Sequence, residues 1–410
     1  MTVIAESRVI KKGSPELLKG IINGRAVASL VLARIVYAVN WYNVAAVFVL
    51  IAFDFRENVT GLGVLTGSFY VGIGLFQVPG GIMAAKYGPR RTGIYGTLIA
   101  SSAAFLTAFS TQFYQIMILR FVVGLGMAMI FAPGVTLVAK YFRHRAEGLG
   151  VGLFNAAFYV GGTFGLFGWA VLAEFVGWRP SIVASGILGI LTAIIMMFMV
   201  PKDEMREGFR IRTVDLRRIL SNRWLLILTL ELFGIGSGSV LVTTFMVYYL
   251  ESSLRAVVAV AGIIGGLSLL LAILASPIFG RIYDRTKDAR KLLFLSGLGL
   301  SFGIAVASVG TVYAAVISTI IVGLCQGGAI TVGFVAAREA ELPDSRYETL
   351  AVSWVNSVSL FAGFWSPVAF SLLVVRFGYT IAWLLSALYT LLLVSIILVP
   401  KERRKQSNPE

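Results

Sequence analysis

Histidine and cysteine are almost absent from the chain, which has one of each, His144 and Cys325, among 410 residues. Metal sites in proteins are built from several such side chains at short spacing, so no metal site is predicted. Cys325 has no second cysteine with which to form a disulfide bond. Glycine-rich phosphate-binding loops of the Walker type are missing as well, which argues against direct coupling to ATP. We therefore predict neither an enzyme nor a bound cofactor.

Charged side chains are also scarce, at 13% of the sequence, whereas apolar ones make up 58%. Soluble domains carry roughly 25% charged and about 45–50% apolar residues. The composition predicts an all-α polytopic membrane protein, with twelve apolar runs near the ~20 residues that cross a bilayer. The predicted spans are residues 26–53, 62–85, 92–109, 114–139, 149–175, 180–200, 224–250, 257–279, 292–309, 312–337, 350–375 and 379–399.

The basic residues indicate how the chain is oriented. A net charge of +15 would suggest nucleic-acid binding in a soluble protein. With the N-terminus inside, however, 29 of the 35 Lys and Arg residues fall in inner loops and tails and 4 in outer loops. Positive charge concentrates on the cytoplasmic side of membrane proteins. We predict a multi-pass protein of the cytoplasmic membrane, with both termini in the cytoplasm, no cleavable signal peptide and no nucleic-acid partner.

Sequence repeats divide the chain into two related halves. Residues 145–155 and 346–356 share Arg, Glu, Leu, Val and Asn at an offset of 201, and Val-Gly-Leu recurs at 123–125 and 322–324. Such parallel repeats predict two pseudo-symmetric bundles of six helices. The expected organisation is a cytoplasmic arm (1–25), a first bundle (26–200), a linker with an amphipathic surface helix (201–223), a second bundle (224–399) and a cytoplasmic tail (400–410).

A third repeated motif follows spans two and eight. Its matched positions are Gly81, Ala85, Lys86, Gly88 and Arg90 in the first copy, and Gly280, Asp284 and Arg285 in the second. The glycines allow tight turns and close helix contacts, and the basic residues favour inner headgroups. The first copy has alanine where the second has an acid.

Together these features resemble the major facilitator superfamily, over about residues 26–399. The family signature G-x8-G-x3-D-R/K-x-G-x-R/K is matched from Gly72 to Arg90, except at Ala85, and span four carries the family's Arg120 before spaced glycines. Residues 77–81 and 147–155 resemble the branches that carry organic and inorganic anions. The N-Y-x-D-R segment of some anion carriers reads N-W-Y-N-V here, at 40–44, and the drug-antiporter signature of span five is absent.

The resemblance implies a conformational role for the repeated motif. In the family, its acid is thought to latch one half against the other when the cytoplasmic side is closed. Asp284 retains this acid and Ala85 does not. We therefore expect a weaker latch and a resting population shifted towards the inward-facing state.

Ionisable groups inside membrane helices cost at least ~2.5–3.5 kcal/mol and are functional candidates by default. Arg34 and Glu231 lie at similar depths, about 12 and 10 Å into spans one and seven at ~1.5 Å per residue. The resemblance places spans 1, 4, 7 and 10 around a central cavity, so one hypothesis is an Arg34–Glu231 ion pair across it. Alternatively, Arg34 reaches the inner headgroups and Glu231 bonds to another neighbour.

Arg120 is the third such residue, six positions into span four. An arginine fork suits a carboxylate or a phosphate-like oxyanion. It could equally bind backbone carbonyls and hold the spans together. Two arginines against one glutamate favour a monoanion, or an anion that arrives with a proton, and Glu231 is the candidate proton carrier.

Aromatic and amide side chains complete the expected cavity wall, although aromatic residues more often serve packing and paired asparagines can form interhelical hydrogen bonds. These candidates are Tyr37, Trp41, Asn155, Tyr159, Tyr249, Gln326 and Asn356.

We therefore predict a secondary transporter that works by alternating access and acts as a monomer in the lipid bilayer. Its expected function is proton-coupled symport of a small organic monoanion, a carboxylate. The aromatic wall also suggests proton-driven export of lipophilic compounds. A transport-derived ligand sensor would be expected to carry a soluble output domain, and only eleven residues follow Val399.

Overall fold

The computed structural model of the chain describes residues 15–142, 147–202, 222–338, 340 and 346–398. Nearly all of these residues are helical, and no strand occurs among them. In the first half, span 1 comprises Pro15–Ala46 and Phe48–Phe55, span 2 is Val59–Tyr87, span 3 is Pro89–Thr107, span 4 comprises Phe113–Ala128 and Phe131–Phe142, span 5 comprises Glu147–Thr163, Phe164–Gly168 and Trp169–Val176, and span 6 is Trp178–Met199. In the second half, span 7 is Arg223–Ser252, span 8 is Val258–Thr286, span 9 is Ala289–Ala307 and span 10 is Val312–Arg338. Spans 11 and 12 together form Arg346–Val394, which ends in a 3-10 turn at Ser395–Leu398.

These helices account for the twelve predicted spans. Ten helices in the described ranges are long and apolar enough to cross a membrane. One of them, Trp354–Leu398, has 45 residues, about twice the ~20 that a span needs. Gly378 breaks it with φ 79° and ψ 171°, which separates span 11 from span 12. Span 3 has 19 residues with a basic first turn and completes the set. The all-helical, twelve-span prediction is confirmed.

The ends of the chain and the linker are described only in part. Span 1 begins at Pro15, a residue that suits the first turn of a helix, and so extends back into the predicted arm. The amphipathic helix expected in the linker falls on residues 203–221, outside the described residues, as does the tail from residue 399 onwards.

Three spans of the first half are interrupted. Span 1 breaks at Val47, with φ −115° and ψ 17°, and span 4 breaks between Ala128 and Phe131. Span 5 contains a π-helical turn at Phe164–Gly168. Such irregularities often occur at functional sites because they re-aim side chains and free backbone carbonyls. Spans 1, 4 and 5 are therefore candidates for the functional site.

The two halves meet where small residues allow close approach. Gly67 of span 2 faces Phe364 of span 11, and a Cβ at Gly363 would overlap the ring of Tyr70. Without a hydrophobic driving force between helices in lipid, such close packing is a main source of attraction. Spans 2 and 11 therefore form one seam between the halves.

A second seam joins spans 5 and 8, where Gly266 faces Thr163. Near the axis, the rings of Phe48 in span 1 and Phe245 in span 7 lie 6.3 Å apart, centroid to centroid. All these contacts lie in the half of each span nearest the predicted outer face. In the predicted orientation, these contacts close the outer half of the molecule between the two bundles.

Candidate functional site

Arg34 lies in an aromatic cage inside the first half. Its side chain is 6% exposed, and its guanidinium carbon is 4.5–5.0 Å from the ring centroids of Tyr37, Phe131, Phe154 and Phe158. Cations are attracted to the faces of aromatic rings, which explains how spans 1, 4 and 5 hold the charge in place. The Nε and Nη1 atoms are buried and have no hydrogen-bond partner among the described residues. Aromatic rings thus surround the guanidinium of Arg34, while two of its three nitrogen atoms donate no hydrogen bond to the described residues.

The ion pair hypothesised between Arg34 and Glu231 is not formed in this conformation. Glu231 is fully buried, and neither of its carboxylate oxygens has a hydrogen-bond partner within the described part of the chain. Gly238, two helical turns further along span 7, faces Leu300 of span 9 and Thr390 of span 12. Residues seven apart share a helix face, so Glu231 lies on the side of span 7 that packs against spans 9 and 12. The carboxyl is therefore inside the second half.

Arg120 serves as a tie between helices in this structure. Its Nη1 donates to the carbonyl of Asn40 at 2.9 Å and its Nη2 to the carbonyl of Trp41 at 3.1 Å. Its guanidinium also lies 4.5 Å from the ring centroid of Phe69. Of the two alternatives for Arg120, carbonyl binding between spans is the one realised in this conformation. Two of its three nitrogen atoms are thereby occupied.

A small cavity lies beside Arg120, where spans 1, 2 and 4 approach span 7. Its volume is about 20 Å³. A single water needs roughly 10–15 Å³ measured in this way, so there is room for one water and not for an organic molecule. The cavity lining includes Trp41, Tyr42, Phe48, Phe69, Tyr70 and Thr244. Substrate entry at this level therefore requires side-chain or helix movement.

Trp41 connects the two arginines through a continuous cluster of rings. Its ring centroid is 5.5 Å from Tyr37, 4.9 Å from Phe69, 5.5 Å from Tyr70 and 5.5 Å from Phe158. The last three contacts are edge-to-face, an arrangement that aromatic pairs favour. The indole Nε1 donates to the Tyr70 hydroxyl at 3.2 Å. We call these five rings, with Phe131 and Phe154, the aromatic cluster.

The other predicted wall residues divide between the halves. Tyr159 is half-buried next to the aromatic cluster, 5.7 Å from the Phe158 ring. Asn155 and Asn356, the pair related by the repeat, are half-buried on spans 5 and 11. Gln326 donates to the carbonyl of Ser268 at 3.3 Å and so links spans 10 and 8.

Tyr249 does not join the site around Arg34. Its hydroxyl donates to the carbonyl of Ala307 at 3.3 Å, and its ring packs 4.7 Å from Tyr379 and 5.8 Å from Trp383. These contacts place it in the packing of the second half near the predicted outer face. The rings around Arg34 therefore come from spans 1, 4 and 5.

Sequence reasoning missed Phe154 and Phe158, which supply two of the four rings around Arg34. A signal was available, because the two lie four residues apart and thus on one face of span 5. The sequence predicted their neighbours Asn155 and Tyr159 instead, because Asn155 matches Asn356 in the repeat and both side chains carry polar groups. The cage shows that the apolar face of this helix is the one turned to the cation.

The repeated loop motif makes separate contacts in each half. Gly88 has φ 93°, which favours glycine, and Arg90 donates to the carbonyls of Val200 and Met197 at the end of span 6. In the second copy, Gly280 faces Thr331 of its own half. These contacts keep each copy within its own bundle.

The charged residues of the motif lie at the surface. The Asp284 side chain is 75% exposed and pairs with Lys287 at 3.8 Å, three residues away on the same helix. Lys86 and Arg285 are exposed, and the side chain of Ala85 lies outside the described residues. Within the part of the chain that the structure describes, the charged partner of Asp284 is Lys287 of its own helix and not a residue of the first half.

We expect an Ala85→Asp variant to populate the outward-facing state more than the wild type does, because it restores the missing acid of the first copy. Phe48, 2% exposed at the closed outer end, provides the reporter when replaced by cysteine in a Cys325→Ser background. The labelling rate from outside should rise severalfold. Ala84→Asp, with the same charge one position earlier, should leave the rate unchanged. Equal rates for wild type and Ala85→Asp would contradict the latch hypothesis.

Comparison with known proteins supports the fold and the family together. The sequence model of the Major Facilitator Superfamily matches residues 30–265 and 232–410. The chain belongs to the major facilitator superfamily. Members of this family are membrane transporters, so the chain is a multi-pass secondary transporter and not an enzyme.

Individual relatives match over part of their length. The 4-hydroxybenzoate transporter PcaK of Pseudomonas aeruginosa is 25% identical over 150 residues, which cover 37% of this chain and 34% of that protein. The probable galactarate/D-glucarate transporter GarP of Escherichia coli is 27% identical over 192 residues, covering 43% and 42%. These matches span well under two thirds of each relative. Both names specify organic anions.

Solved structures share the fold at low identity. A bacterial homologue of the human lysosomal transporter Spinster, in an inward-facing and unoccupied conformation, superposes with a TM-score of 0.77 at 16% identity, covering 94% of this chain and 96% of that one. The nucleoside transporter NupG gives a TM-score of 0.76 at 14% identity, covering 91% and 99%. These likenesses concern the fold alone.

Proposed function

We propose that the chain is a proton-coupled symporter of a small organic monoanion, a carboxylate, across the cytoplasmic membrane. It works as a monomer by alternating access, with both termini in the cytoplasm. The excess of basic residues in the predicted inner loops supports this orientation. The names of the relatives, which specify 4-hydroxybenzoate and galactarate or D-glucarate, support an anionic organic substrate.

The observation that carries the proposal is the lack of a counter-anion at Arg34. A buried guanidinium is costly unless it is paired and hydrogen-bonded. Four rings offset part of this cost, yet Nε and Nη1 have no hydrogen-bond partner among the described residues. A substrate carboxylate would supply both the charge and the acceptors. Arg120 is the weaker candidate because two of its nitrogen atoms already bind carbonyls.

Glu231 is the residue that we propose carries the proton. An isolated carboxylate inside a membrane protein is costly, and binding a proton removes the charge. Both Glu231 oxygens lack hydrogen-bond partners among the described residues, and the side chain is fully buried. Glu231 and Arg34 lie in different halves, so the proton and the anion would be coupled through the shared conformational equilibrium and not by direct contact.

The test is a thermal-shift panel on the purified protein, followed by uptake driven by a pH jump in proteoliposomes. We expect at least one of acetate, benzoate and gluconate to raise the melting temperature and to accumulate when the outside is acidified. Arg34→Gln should weaken that anion's binding about tenfold or more, since it removes a charge-assisted pair. Arg376→Gln, an exposed arginine outside the site, is the matched control.

The panel also tests the second candidate, proton-driven export of lipophilic compounds, which the aromatic cluster favours. Tetraphenylphosphonium is the probe for that activity. Stabilisation by this cation, with no response to any of the three anions, would replace the symport proposal by export. Anion stabilisation that survives Arg34→Gln would contradict the role of Arg34.

A further inference from the structure

We infer that the transported anion is an aromatic carboxylate, a planar ring carrying one acid group. This inference rests on the proposed function and specifies the substrate class at the Arg34 site. The wall between Arg34 and Arg120 consists largely of aromatic rings.

The two buried guanidiniums lie at the ends of an unbroken aromatic path. Arg34 is 4.5 Å from the Tyr37 ring, Tyr37 is 5.5 Å from Trp41, Trp41 is 4.9 Å from Phe69, and Phe69 is 4.5 Å from Arg120. Along span 1, Arg34 and Trp41 are seven residues apart, about 10 Å at ~1.5 Å per residue. A single ring with its carboxylate is shorter than this path. It can lie along the path with the acid at Arg34.

The edges and faces of the cluster suit another ring. Trp41 meets Phe69, Tyr70 and Phe158 at interplanar angles of 75°, 82° and 88°. The positive edge of one ring lies against the negative face of the next in such arrangements. Because the cavity of about 20 Å³ beside Arg120 holds no more than one water, a ligand can enter only when side chains or helices move. Where a ring moves aside, an aromatic ligand replaces the contacts of that ring.

The amide nitrogens nearest to Trp41 are already engaged and are not available to the hydroxyl groups of a polyhydroxylated acid. Asn40 and Asn43, the amides nearest to Trp41 on span 1, bond to the backbone oxygen and hydroxyl of Ser185 on span 6. The Tyr70 hydroxyl accepts from the Trp41 Nε1. Several hydroxyl groups moved from water to a wall made mostly of rings lose more hydrogen bonds than they regain, which opposes their binding.

The experiment compares three anions on the intact protein: benzoate, cyclohexanecarboxylate and gluconate. The first two have similar size and charge and differ in aromaticity, whereas gluconate is polyhydroxylated. By thermal shift and by competition for uptake, we expect benzoate to bind about tenfold more tightly than gluconate and severalfold more tightly than cyclohexanecarboxylate.

Variants at Trp41 separate recognition of the ring from recognition of the acid. Trp41→Leu should remove the preference for benzoate over cyclohexanecarboxylate, whereas Trp41→Phe, which retains a ring and also guards against loss of folding, should keep most of it. Trp365→Leu is the matched control, since Trp365 is 54% exposed on span 11, away from the cluster.

The outcomes distinguish this inference from the function on which it rests. Gluconate or cyclohexanecarboxylate binding as tightly as benzoate, with binding still dependent on Arg34, would overturn the aromatic class and leave anion symport standing. A preference for benzoate that survives Trp41→Leu would also overturn it. If none of the three anions binds, the proposed function fails first.

Discussion

Replacing Gly363 by leucine is expected to abolish net uptake while leaving the protein folded. A Cβ at this position would overlap the ring of Tyr70, so the seam between spans 2 and 11 cannot close as it does here. Alternating access requires each face to close in turn, and blocking one closure holds the carrier in the other state. The variant should therefore remain open at the predicted outer face.

Two measurements check this expectation. In proteoliposomes, both uptake and exchange should fall to background. In vesicles, the Phe48→Cys reporter in the Cys325→Ser background should label faster from outside when Gly363→Leu is added. Gly24→Leu is the matched control, because nothing lies within 4 Å of the position that its Cβ would take. Wild-type uptake by the Gly363 variant would show that this seam opens and closes without the contact seen here.

Glu231→Gln is expected to abolish accumulation driven by a pH gradient while sparing exchange of labelled for unlabelled anion. Glutamine is close in shape to a protonated glutamic acid and cannot release a proton. The loaded carrier can then cross between its two states, but the proton gradient no longer biases the cycle. A residue needed only for packing would affect both activities together.

The two activities are measured in the same proteoliposomes, with benzoate as the first probe. Glu174→Gln is the matched control, since it makes the same change at an exposed residue of span 5 near the predicted outer face. It should retain both gradient-driven accumulation and exchange. Glu231 is not the proton carrier if accumulation after a pH jump survives in the Glu231 variant, or if exchange is lost along with it.

The number and order of the spans could be predicted from composition because lipid imposes a simple length rule on apolar runs. The angular position of a side chain is harder to predict. Arg34 and Glu231 are 197 residues apart, whereas the matched repeats are 199 or 201 apart. The two-residue difference from the repeats matched at offset 199, which are the nearer ones in the chain, rotates a helical position by roughly 200° at ~3.6 residues per turn. Arg34 and Glu231 therefore do not face each other, although they lie at similar depths along their spans.

Local breaks in the helices explain why the cage around Arg34 was not predicted. Phe131 shares a helix face with Arg120 only if span 4 is regular, yet the span is interrupted between Ala128 and Phe131. In the structure, Phe131 lies 4.8 Å from the guanidinium of Arg34. Glycine is frequent throughout this chain, at 44 residues, so its presence does not mark where a helix breaks. For Arg120, the sequence left two roles open, and the carbonyls of Asn40 and Trp41 select one of them for this conformation.

The interruptions at Val47, at residues 129–130 and at Phe164–Gly168 all belong to the first half. Spans 7, 9 and 10, as described, run without a break or an internal proline, whereas spans 8 and 11 contain Pro277 and Pro367. The two bundles therefore differ in where their helices can bend, although their sequences are related. During a rocking motion, the first bundle would bend at its three joints around the buried arginines, while spans 7, 9 and 10 would each turn as one unit. The two halves are thus related in fold but need not move in the same way.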